Sequence, residues 1–407
     1  MSRLYVGSEI GKLKRVILHR PELSLQRLTP RNMEDLLFDD VLRVSQAAAE
    51  HDRFAETLRG HGVEVLLLHD LLAQTLTDPV ARAWVLERQV TEQQLGPVLA
   101  EAIRTHLEQQ DSESVASALV GGLTLDDLDI TVSSITSELI GGATDFLLPP
   151  LPNHLFTRDT TCWIGNGVSI NPMAKLARRR ESVHMKAIYK FHPLFRDVRF
   201  NVWYGGDEQA QENAAIEGGD VLVIDRKCVL MGMSERTTPQ AVEMLAVRLF
   251  RGGGAERVIA VELPKERSCM HLDTVMTQID VDCFSHYPHA IHDDVPCWEL
   301  TLDGQGKLHV KRRRHFFKLL ARVMGLADLR WLPTGGDKYA AEREQWNDAN
   351  NVLTLRPGVV VGYERNVHTI EAMSRAGIEV LTIPGEELGR GRGGARCMSC
   401  PIERDDP

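Results

Sequence analysis

Four short segments of the chain bring together residue types that can carry out chemistry. They are residues 156–159 (FTRD), 217–220 (EGGD), 271–274 (HLDT) and 393–401 (GGARCMSCP). Cysteine with histidine indicates nucleophilic catalysis with proton transfer. Nearby carboxylates raise the pKa of a thiol, but they suit a cationic substrate such as a guanidinium, whose N–H fork a carboxylate matches. The set therefore predicts attack of a thiolate on a guanidinium carbon.

Each candidate also has a purely structural interpretation. Cys397 lies beside two glycines and an arginine, an electropositive setting that favours a thiolate, whereas Cys400 is more typical of a small buried apolar residue. His271 could be an ordinary core histidine, and Glu217 could be a turn carboxylate. The catalytic interpretation depends on all four segments meeting at one place.

A metal site is a weaker interpretation of the same residues. Cys397 and Cys400 form a CxxC pair, but the sequence has no second CxxC and no HxxxH. Structural zinc usually needs four protein ligands. We therefore do not expect structural zinc.

Composition restricts the class of protein. The chain has 407 residues, a net charge of −10 and 7 cysteines. An acidic chain gains nothing from counterion release, which argues against a nucleic-acid or anionic-membrane partner. The odd, sparse cysteines do not fit a secreted disulfide framework, and residues 1–20 lack a signal-peptide core. We expect a reduced, cytoplasmic protein.

The candidate residues lie on a pattern of short strands and helices. Residues 237–250 have the apolar spacing of a helix. Apolar runs predict strands at 15–19, 63–68, 221–224, 229–233, 258–261, 352–355, 359–361 and 380–383.

This pattern repeats. After each of Asp159, Asp220, Asp273 and Asn350, the sequence predicts a strand, a tight turn and a second strand, and after three of them a helix follows. A fifth copy begins near Arg15. Five such units around an axis would aim their leading polar residues at one centre. The alternative is that Asp and Asn merely cap turns before strands.

Residues 71–148 differ from the rest because they predict an all-helical insertion. Asp78 followed by Pro79 is typical of a helix start, and Thr91 with Gln94 fits a capping box. Ser112 opens a helix that residues 121–122 (GG) should close, and Thr124 begins another. We expect a catalytic domain of residues 1–70 and 149–407, interrupted by the helical domain.

Taken in order, these motifs resemble those of the bacterial arginine deiminase family. Residues 346–351 (WNDANN) and 11–21 (GKLKRVILHRP) belong to the same resemblance, which spans essentially the whole chain. It implies the pentein fold, a five-bladed α/β propeller of ββαβ units. It also implies hydrolysis of L-arginine to citrulline and ammonia without a cofactor, as a step of arginine catabolism. Members of the family form dimers or tetramers, so the resemblance further implies a homodimer or homotetramer.

The resemblance also implies a role for each matching residue. Cys397 corresponds to the nucleophile, His271 to the general acid/base and Glu217 to the acid that orients it. Asp159 and Asp273 correspond to the pair that holds the guanidinium. Asn153, Arg178 and Arg236 correspond to groups that bind the substrate carboxylate. Arg392 corresponds to a gating arginine, and Phe156 to a side chain that packs along the aliphatic stem of the substrate. Residues 26–40 correspond to a lid over the pocket. We expect Asp220 to face the same pocket. Arg396 stands where some members carry histidine.

Other enzymes and proteins could use these residues. An agmatine deiminase would not need Arg178 and Arg236, because agmatine has no carboxylate. A dimethylarginine hydrolase or an amidinotransferase of the same fold is a further alternative. An amidinotransferase must exclude water and admit an amine acceptor, and the motif set fits it poorly. A non-catalytic arginine sensor should have lost Cys397 or His271, and a cysteine protease would not need paired aspartates.

Overall fold

Short strands and helices alternate along the chain. The computed structural model describes residues 4–128, 132–139, 146–206 and 214–406. The strands are β1 (Tyr5–Val6), β2 (Leu13–Leu18), β3 (Glu64–Leu67), β4 (Leu123–Thr124), β5 (Phe146–Leu148), β6 (Thr161–Ile164), β7 (Gly167–Ile170), β8 (Asn201–Tyr204), β9 (Val221–Val223), β10 (Cys228–Met233), β11 (Arg257–Glu262), β12 (Met276–Asp280), β13 (Cys283–His286), β14 (Cys297–Leu302), β15 (Leu308–Arg313), β16 (Arg330–Pro333), β17 (Leu353–Arg356), β18 (Val359–Tyr363), β19 (Glu379–Ile383) and β20 (Cys400–Arg404).

Helices separate many of these strands. They are α1 (Leu23–Gln26), α2 (Val44–Gly60), α3 (Leu68–Thr75), α4 (Pro79–Gln89), α5 (Glu92–Leu95), α6 (Pro97–Gln109), α7 (Ser112–Gly121), α8 (Ile135–Leu139), α9 (Thr157–Thr160), α10 (Arg179–Phe191), α11 (Pro193–Arg196), α12 (Pro239–Gly252), α13 (Phe316–Val323), α14 (Lys338–Trp346) and α15 (Val367–Arg375). Short 3₁₀ helices occur at Pro152–Leu155, Leu176–Arg178, Gly218–Asp220, Arg267–Cys269, Leu272–Thr274 and Leu388–Gly391. The eight predicted strands and the predicted helix at 237–250 are confirmed, with small shifts of their ends.

Five sheets in the described ranges share one topology, in which an antiparallel pair is followed by a third, parallel strand. The three strands with this topology in each sheet are β20–β2–β3, β6–β7–β8, β9–β10–β11, β12–β13–β16 and β17–β18–β19. A parallel pair needs a long crossover connection, usually helical, and here α2, α10, α12, α13 and α15 lie in the five crossovers. The predicted repeat is therefore confirmed as a ββαβ unit. In the N-terminal unit the first strand is β20, which lies at the C-terminal end of the chain.

In each internal unit, no more than two residues separate the leading polar residue from the unit's first strand. Asp159 is in the one-turn helix α9, and Asp220 and Asp273 are in one-turn 3₁₀ helices. Two of these carboxylates accept a backbone N–H from the next unit: Asp159 from Gly219 at 3.2 Å, and Asp220 from Leu272 at 2.9 Å. The turns that carry the candidate site are therefore linked to one another.

The segment from α3 to α7 is helical, but two details of its prediction are wrong. The Thr91 side chain makes no N-cap bond; its hydroxyl donates to the Gln94 side chain instead, so there is no capping box. Thr124 begins no helix, because it lies in β4 and pairs with β5, so the insertion is not all-helical. The predictions at Asp78 and at residues 112–122 are confirmed.

This helical segment shares an apolar core with the sheets. Leu72, Val85 and Leu119 belong to the same buried cluster as Trp163 of β6 and Ile188 of α10. The described helices include none with both the length and the apolar character needed to cross a membrane. The division into two domains stays a prediction.

Candidate active site

One narrow cavity collects most of the residues that the sequence analysis selected. Its walls are formed by Asn153, Phe156, Asp159, Arg178, Arg236, His271, Arg392 and Cys397, together with Leu37, Arg267, Met270 and Gly391. Its volume is about 10 Å³, which is room for roughly one water molecule. The site is therefore assembled and closed.

Cys397 lies in the loop between the 3₁₀ helix at Leu388–Gly391 and β20. Its Sγ accepts a hydrogen bond from Asn351 Nδ2 at 3.0 Å and lies 3.6 Å from Asp273 Oδ2. Burial raises the pKa of the Cys397 thiol well above its usual range, and the carboxylates of Asp273 and Asp159 raise it further. In this closed state the sulfur is a thiol.

His271 is held between two carboxylates. Its Nε2 lies 2.8 Å from Glu217 Oε2, and its Nδ1 lies 3.7 Å from Asp159 Oδ1. Burial by itself lowers the pKa of His271, but Asp159 and the Glu217 hydrogen bond outweigh it and raise the pKa to about 9. The imidazole is therefore protonated at neutral pH, and Nδ1 faces Asp159.

The EGGD motif makes room for this imidazole. A Cβ atom on Gly219 would lie 2.7 Å from the ring carbon Cγ of His271 and 2.8 Å from Nδ1. A residue with a side chain at Gly219 would displace the ring from its place between the two carboxylates. This contact gives a physical reason for glycine at this position.

Asp159 and Asp273 each have one carboxylate oxygen paired with an arginine side chain of the protein. Asp159 Oδ2 accepts from Arg178 at 2.6 Å, and Asp273 Oδ2 accepts from Arg396 at 2.7 Å. Asp159 Oδ1 accepts the N–H of Gly219, and Asp273 Oδ1 is buried without a hydrogen-bond partner. Each aspartate thus keeps an oxygen that no arginine occupies.

The two arginines predicted to bind a substrate carboxylate are in different situations. Arg178 donates through all three nitrogens, to Asp159, to Glu181 and to the carbonyls of Asn153 and Phe156. Arg236 Nε donates to the neighbouring carboxylate of Glu235 at 2.8 Å, and its Nη1 lies 3.5 Å from Glu217. Both arginines line the cavity. More of the guanidinium N–H donors of Arg178 than of Arg236 are already bonded to other groups of the protein.

Arg392 lines the cavity, and so does Leu37 of residues 26–40, the segment predicted to be a lid. The Arg392 guanidinium stacks 3.5 Å above the Trp346 ring, and its backbone has a φ of +63°. Asn153 Nδ2 and Arg267 Nη2 donate to the lid carbonyls of Leu36 and Leu37, each at 2.7 Å. These bonds join residues 26–40 to two residues that line the cavity, and a lid function for the segment stays a prediction.

Asp220 does not line the cavity. Its Oδ2 accepts from the Ser234 hydroxyl at 2.7 Å and its Oδ1 from the N–H of Leu272. Burial raises the pKa of Asp220 to about 7. Here it positions the turn between His271 and Asp273, and a direct contact with substrate stays a prediction.

Two sets of side chains have the spacing of metal ligands among the described residues. Asp159, Glu217 and His271 hold potential ligand atoms within 4.8 Å of one another, and Asp293, Asp294 and His315 form a more exposed set. In the first set, Arg178 already contacts both carboxylates. The Cys397–Cys400 pair belongs to neither set, so zinc at this pair gains no support.

Three residues of the site were missed by sequence reasoning. Asn351 contacts the candidate nucleophile, Glu181 holds Arg178, and Glu9 pairs with Arg396 at 3.0 Å. Asn351 could have been found, because it ends the WNDANN motif. Glu9 and Glu181 carry no sequence signal.

Solved structures share this fold at low sequence identity. The N-terminal domain of ArgZ bound to substrate, an arginine dihydrolase from cyanobacteria, is 14% identical over 96% of this chain and 98% of that chain, with a TM-score of 0.55. SxtG, an amidinotransferase from Microseira wollei, is 13% identical over 99% and 98%, also at 0.55. AgrE in complex with L-arginine is 15% identical at 0.55; the match covers 97% of this chain but only 41% of AgrE.

The sheets and these likenesses define the class of the protein as an α/β chain of the pentein type. A family model described as arginine deiminase matches residues 34–404. The match includes the motifs that surround the cavity. The chain belongs to the arginine deiminase family.

Proposed function

We propose that the protein hydrolyses L-arginine to L-citrulline and ammonia. The observation that carries the proposal is the meeting of Cys397, His271 and Asp159 at one buried cavity, with Asp273 Oδ2 3.6 Å from the Cys397 sulfur. A guanidinium between Asp159 and Asp273 would place its central carbon beside Sγ. Family membership supports arginine as the substrate.

The reaction begins when the guanidinium binds and Cys397 loses its proton, for which Asp273 Oδ2 is an acceptor at 3.6 Å. The thiolate adds to the guanidinium carbon. His271, already protonated, gives a proton to one amino group, the C–N bond breaks, and ammonia leaves as ammonium with the proton that Asp273 had accepted. A cationic S-alkylthiouronium remains, which the two aspartates stabilise.

Water then completes the cycle. The neutral His271 takes a proton from a water molecule, whose oxygen attacks the same carbon. The C–S bond breaks as the urea carbonyl forms, and the sulfur takes up the hydroxyl proton. Glu217 stabilises the imidazolium through its 2.8 Å contact with Nε2, and we expect Arg236 to bind the substrate carboxylate. The cavity must first open, since its present volume is far smaller than an amino acid.

We also propose that the five units close into a five-bladed ring around this cavity. Contacts between successive units support it: β20 with β6, α9 with the turn at Gly218–Asp220, that turn with Leu272–Thr274, β12 with β17, and β17 with β2. The last contact joins the fifth unit to the first. A closed ring would place the five leading turns at its centre.

The decisive experiment measures products from L-arginine. We expect citrulline and ammonia in equal amounts, with activity reduced by at least about 10⁴-fold in Cys397→Ala because no covalent route remains. Ornithine with further ammonia would indicate a dihydrolase, and transfer to an added amine would indicate an amidinotransferase. Reaction only with agmatine or methylated arginine, or activity that survives in Cys397→Ala, would overturn the proposal.

A further inference from the structure

Arg396, the residue before the candidate nucleophile, is enclosed and binds three segments of the chain at once. Its Nε donates to Glu9 Oε2 at 3.0 Å, its Nη1 to Asp273 Oδ2 at 2.7 Å and its Nη2 to the Val221 carbonyl at 2.8 Å. Its side chain is only 1% exposed. The guanidinium cannot turn without breaking a buried charge-assisted hydrogen bond.

The contact with Asp273 has a direct consequence for the site. Arg396 and the sulfur of Cys397 both approach Asp273 Oδ2, whereas Oδ1 is buried without a partner. A buried carboxylate oxygen without a hydrogen bond is costly. Because Arg396 fixes the carboxylate plane, this free oxygen has a defined place from which it can accept an N–H from a ligand.

Glu9 is the anchor on the other side of Arg396. Its backbone N–H donates to the Val223 carbonyl at 2.7 Å, and its Oε1 accepts the Val223 N–H at 3.2 Å. Burial by itself raises the pKa of Glu9, but Arg396 and Arg158 outweigh burial and lower it to about 2. Glu9 is therefore an anion at neutral pH, tied to the strand that follows Asp220.

We propose that Arg396, anchored by Glu9, is a positioning residue: it holds the Asp273 carboxylate so that one oxygen stays free for the substrate guanidinium. The inference rests on the function proposed above, because it needs a cationic substrate. Arg396 makes no contact with that substrate and acts through Asp273.

Arg396 has a second effect, on the charge around the sulfur. Asp273, Asp159 and Asp348 all disfavour ionisation of Cys397, and Arg396 opposes them. Without Arg396 the carboxylates would lose one of the cations that oppose them; Arg392 would remain. The thiolate would then form only at higher pH.

The first test compares Arg396→Gln, which removes the charge, with Arg396→Lys, which keeps the charge but has a single donor centre. We expect kcat/KM to fall about 100-fold in Arg396→Gln. The pH profile of Cys397 alkylation by iodoacetamide, followed on its peptide by mass spectrometry, should move up by about one pH unit. Arg396→Lys should restore the alkylation profile but only part of kcat/KM, because one ammonium cannot bridge Glu9, Asp273 and Val221.

A double-mutant cycle separates positioning from general stability. Glu9→Gln should lower kcat/KM about tenfold alone and have little further effect in Arg396→Gln, because Glu9 acts through Arg396. The matched control is Arg82→Gln: Arg82 is half-buried in the helical segment and donates to the carbonyls of Leu76, Glu108 and Gln110. This control should lose thermal stability while kcat/KM stays within about twofold of wild type.

Three outcomes would overturn the inference: a folded Arg396→Gln with unchanged kcat/KM, additive effects of the Glu9 and Arg396 substitutions, or unchanged alkylation. If Arg396→Gln fails to fold, Arg396→Lys and Glu9→Gln supply the same comparisons. Alkylation needs no turnover. A wild-type protein that makes no citrulline would therefore refute the proposed function, while the alkylation comparison would still decide the role of Arg396.

Discussion

Asn351 holds the candidate nucleophile from two sides. Its Nδ2 donates to Cys397 Sγ at 3.0 Å, and its Oδ1 accepts the Cys397 backbone N–H at 2.9 Å. The sulfur and its backbone are thus fixed by one amide. The bond to sulfur is also one that a thiolate would strengthen, because hydrogen bonds to charged acceptors are stronger.

We expect Asn351→Ala to lower kcat about 100-fold with a smaller effect on KM, since it removes orientation and thiolate stabilisation rather than substrate contacts. Asn351→Asp keeps the shape but places another carboxylate against the sulfur, so it should be at least as damaging. Steady-state kinetics check this. An Asn351→Asp variant as active as wild type would contradict it.

The charged residues around Cys397 also control the ionisation of its thiol. Burial, together with the carboxylates of Asp273 and Asp159, raises the pKa of the Cys397 thiol and keeps the sulfur protonated. A cation bound between Asp159 and Asp273 would offset their charge, so substrate would help to form its own nucleophile.

We therefore expect an inert guanidinium ligand to increase the thiolate fraction of Cys397 at neutral pH. The measurement is ultraviolet thiolate absorbance against pH, with and without the ligand, corrected by the same titration of Cys397→Ala. An equal thiolate fraction in both titrations would sink the idea.

At the scale of elements, the glycine-rich loop before β20 packs directly on the aromatic wall of the cavity. A Cβ on Gly393 would lie 2.3 Å from Phe156 Cε1 and 3.1 Å from Cys397 Cβ. Gly393 thus allows the loop and the Phe156 ring to lie together. Any side chain there must move the ring, the loop or both.

Gly393→Ala should lower kcat/KM by about 10- to 100-fold, because small displacements of a nucleophile are costly. Gly304→Ala is the matched control, since a Cβ on Gly304 meets no atom within 4 Å; its kinetics should equal those of wild type. Kinetics combined with thermal melts distinguish a displaced loop from an unfolded protein. Wild-type kinetics in Gly393→Ala would show that the loop adapts.

At the scale of the whole molecule, three buried histidines join distant segments. His19 follows β2, His154 lies in a 3₁₀ helix and His184 in α10; their ring centroids lie 5.5 Å and 5.1 Å apart in that order. Burial lowers the pKa of His19 to about 3 and those of His154 and His184 well below the usual range.

These shifts set a direction for acid stability. An unfolded histidine takes up a proton near pH 6.5, whereas the folded chain keeps these three neutral. Their stabilisation is complete above about pH 6.5 and is lost as the pH falls toward about 3. Both ring nitrogens of His19 lack hydrogen-bond partners, so an apolar ring can replace it without breaking a bond.

We expect His19→Phe to flatten the fall of Tm between pH 6.5 and 4.5 compared with wild type. Replacing the exposed His292 by glutamine should leave the slope unchanged. Calorimetric melts at several pH values measure both. A His19→Phe slope identical to that of wild type would contradict the assignment.

The sequence by itself determined the repeating unit and most of the candidate site. Strands such as β10 and β17 and helix α12 were predictable because apolar periodicity and turn residues act over a few positions. The motif containing Cys397 was visible because a reactive cysteine stands close to two glycines, and the motif containing His271 because a histidine stands two positions before an aspartate. Thr124 shows the limit: its pairing with β5 prevailed over a local helix signal.

Only the tertiary structure decided how the charges are paired. Arg178 is bound to Asp159 and Glu181, and Arg396 to Asp273 and Glu9. Glu9 and Arg396 come from opposite ends of the chain, and no local pattern connects them. In a buried site each ion must find a partner within a few ångströms or pay a large desolvation cost, and which partner lies within that distance is a property of the folded chain alone.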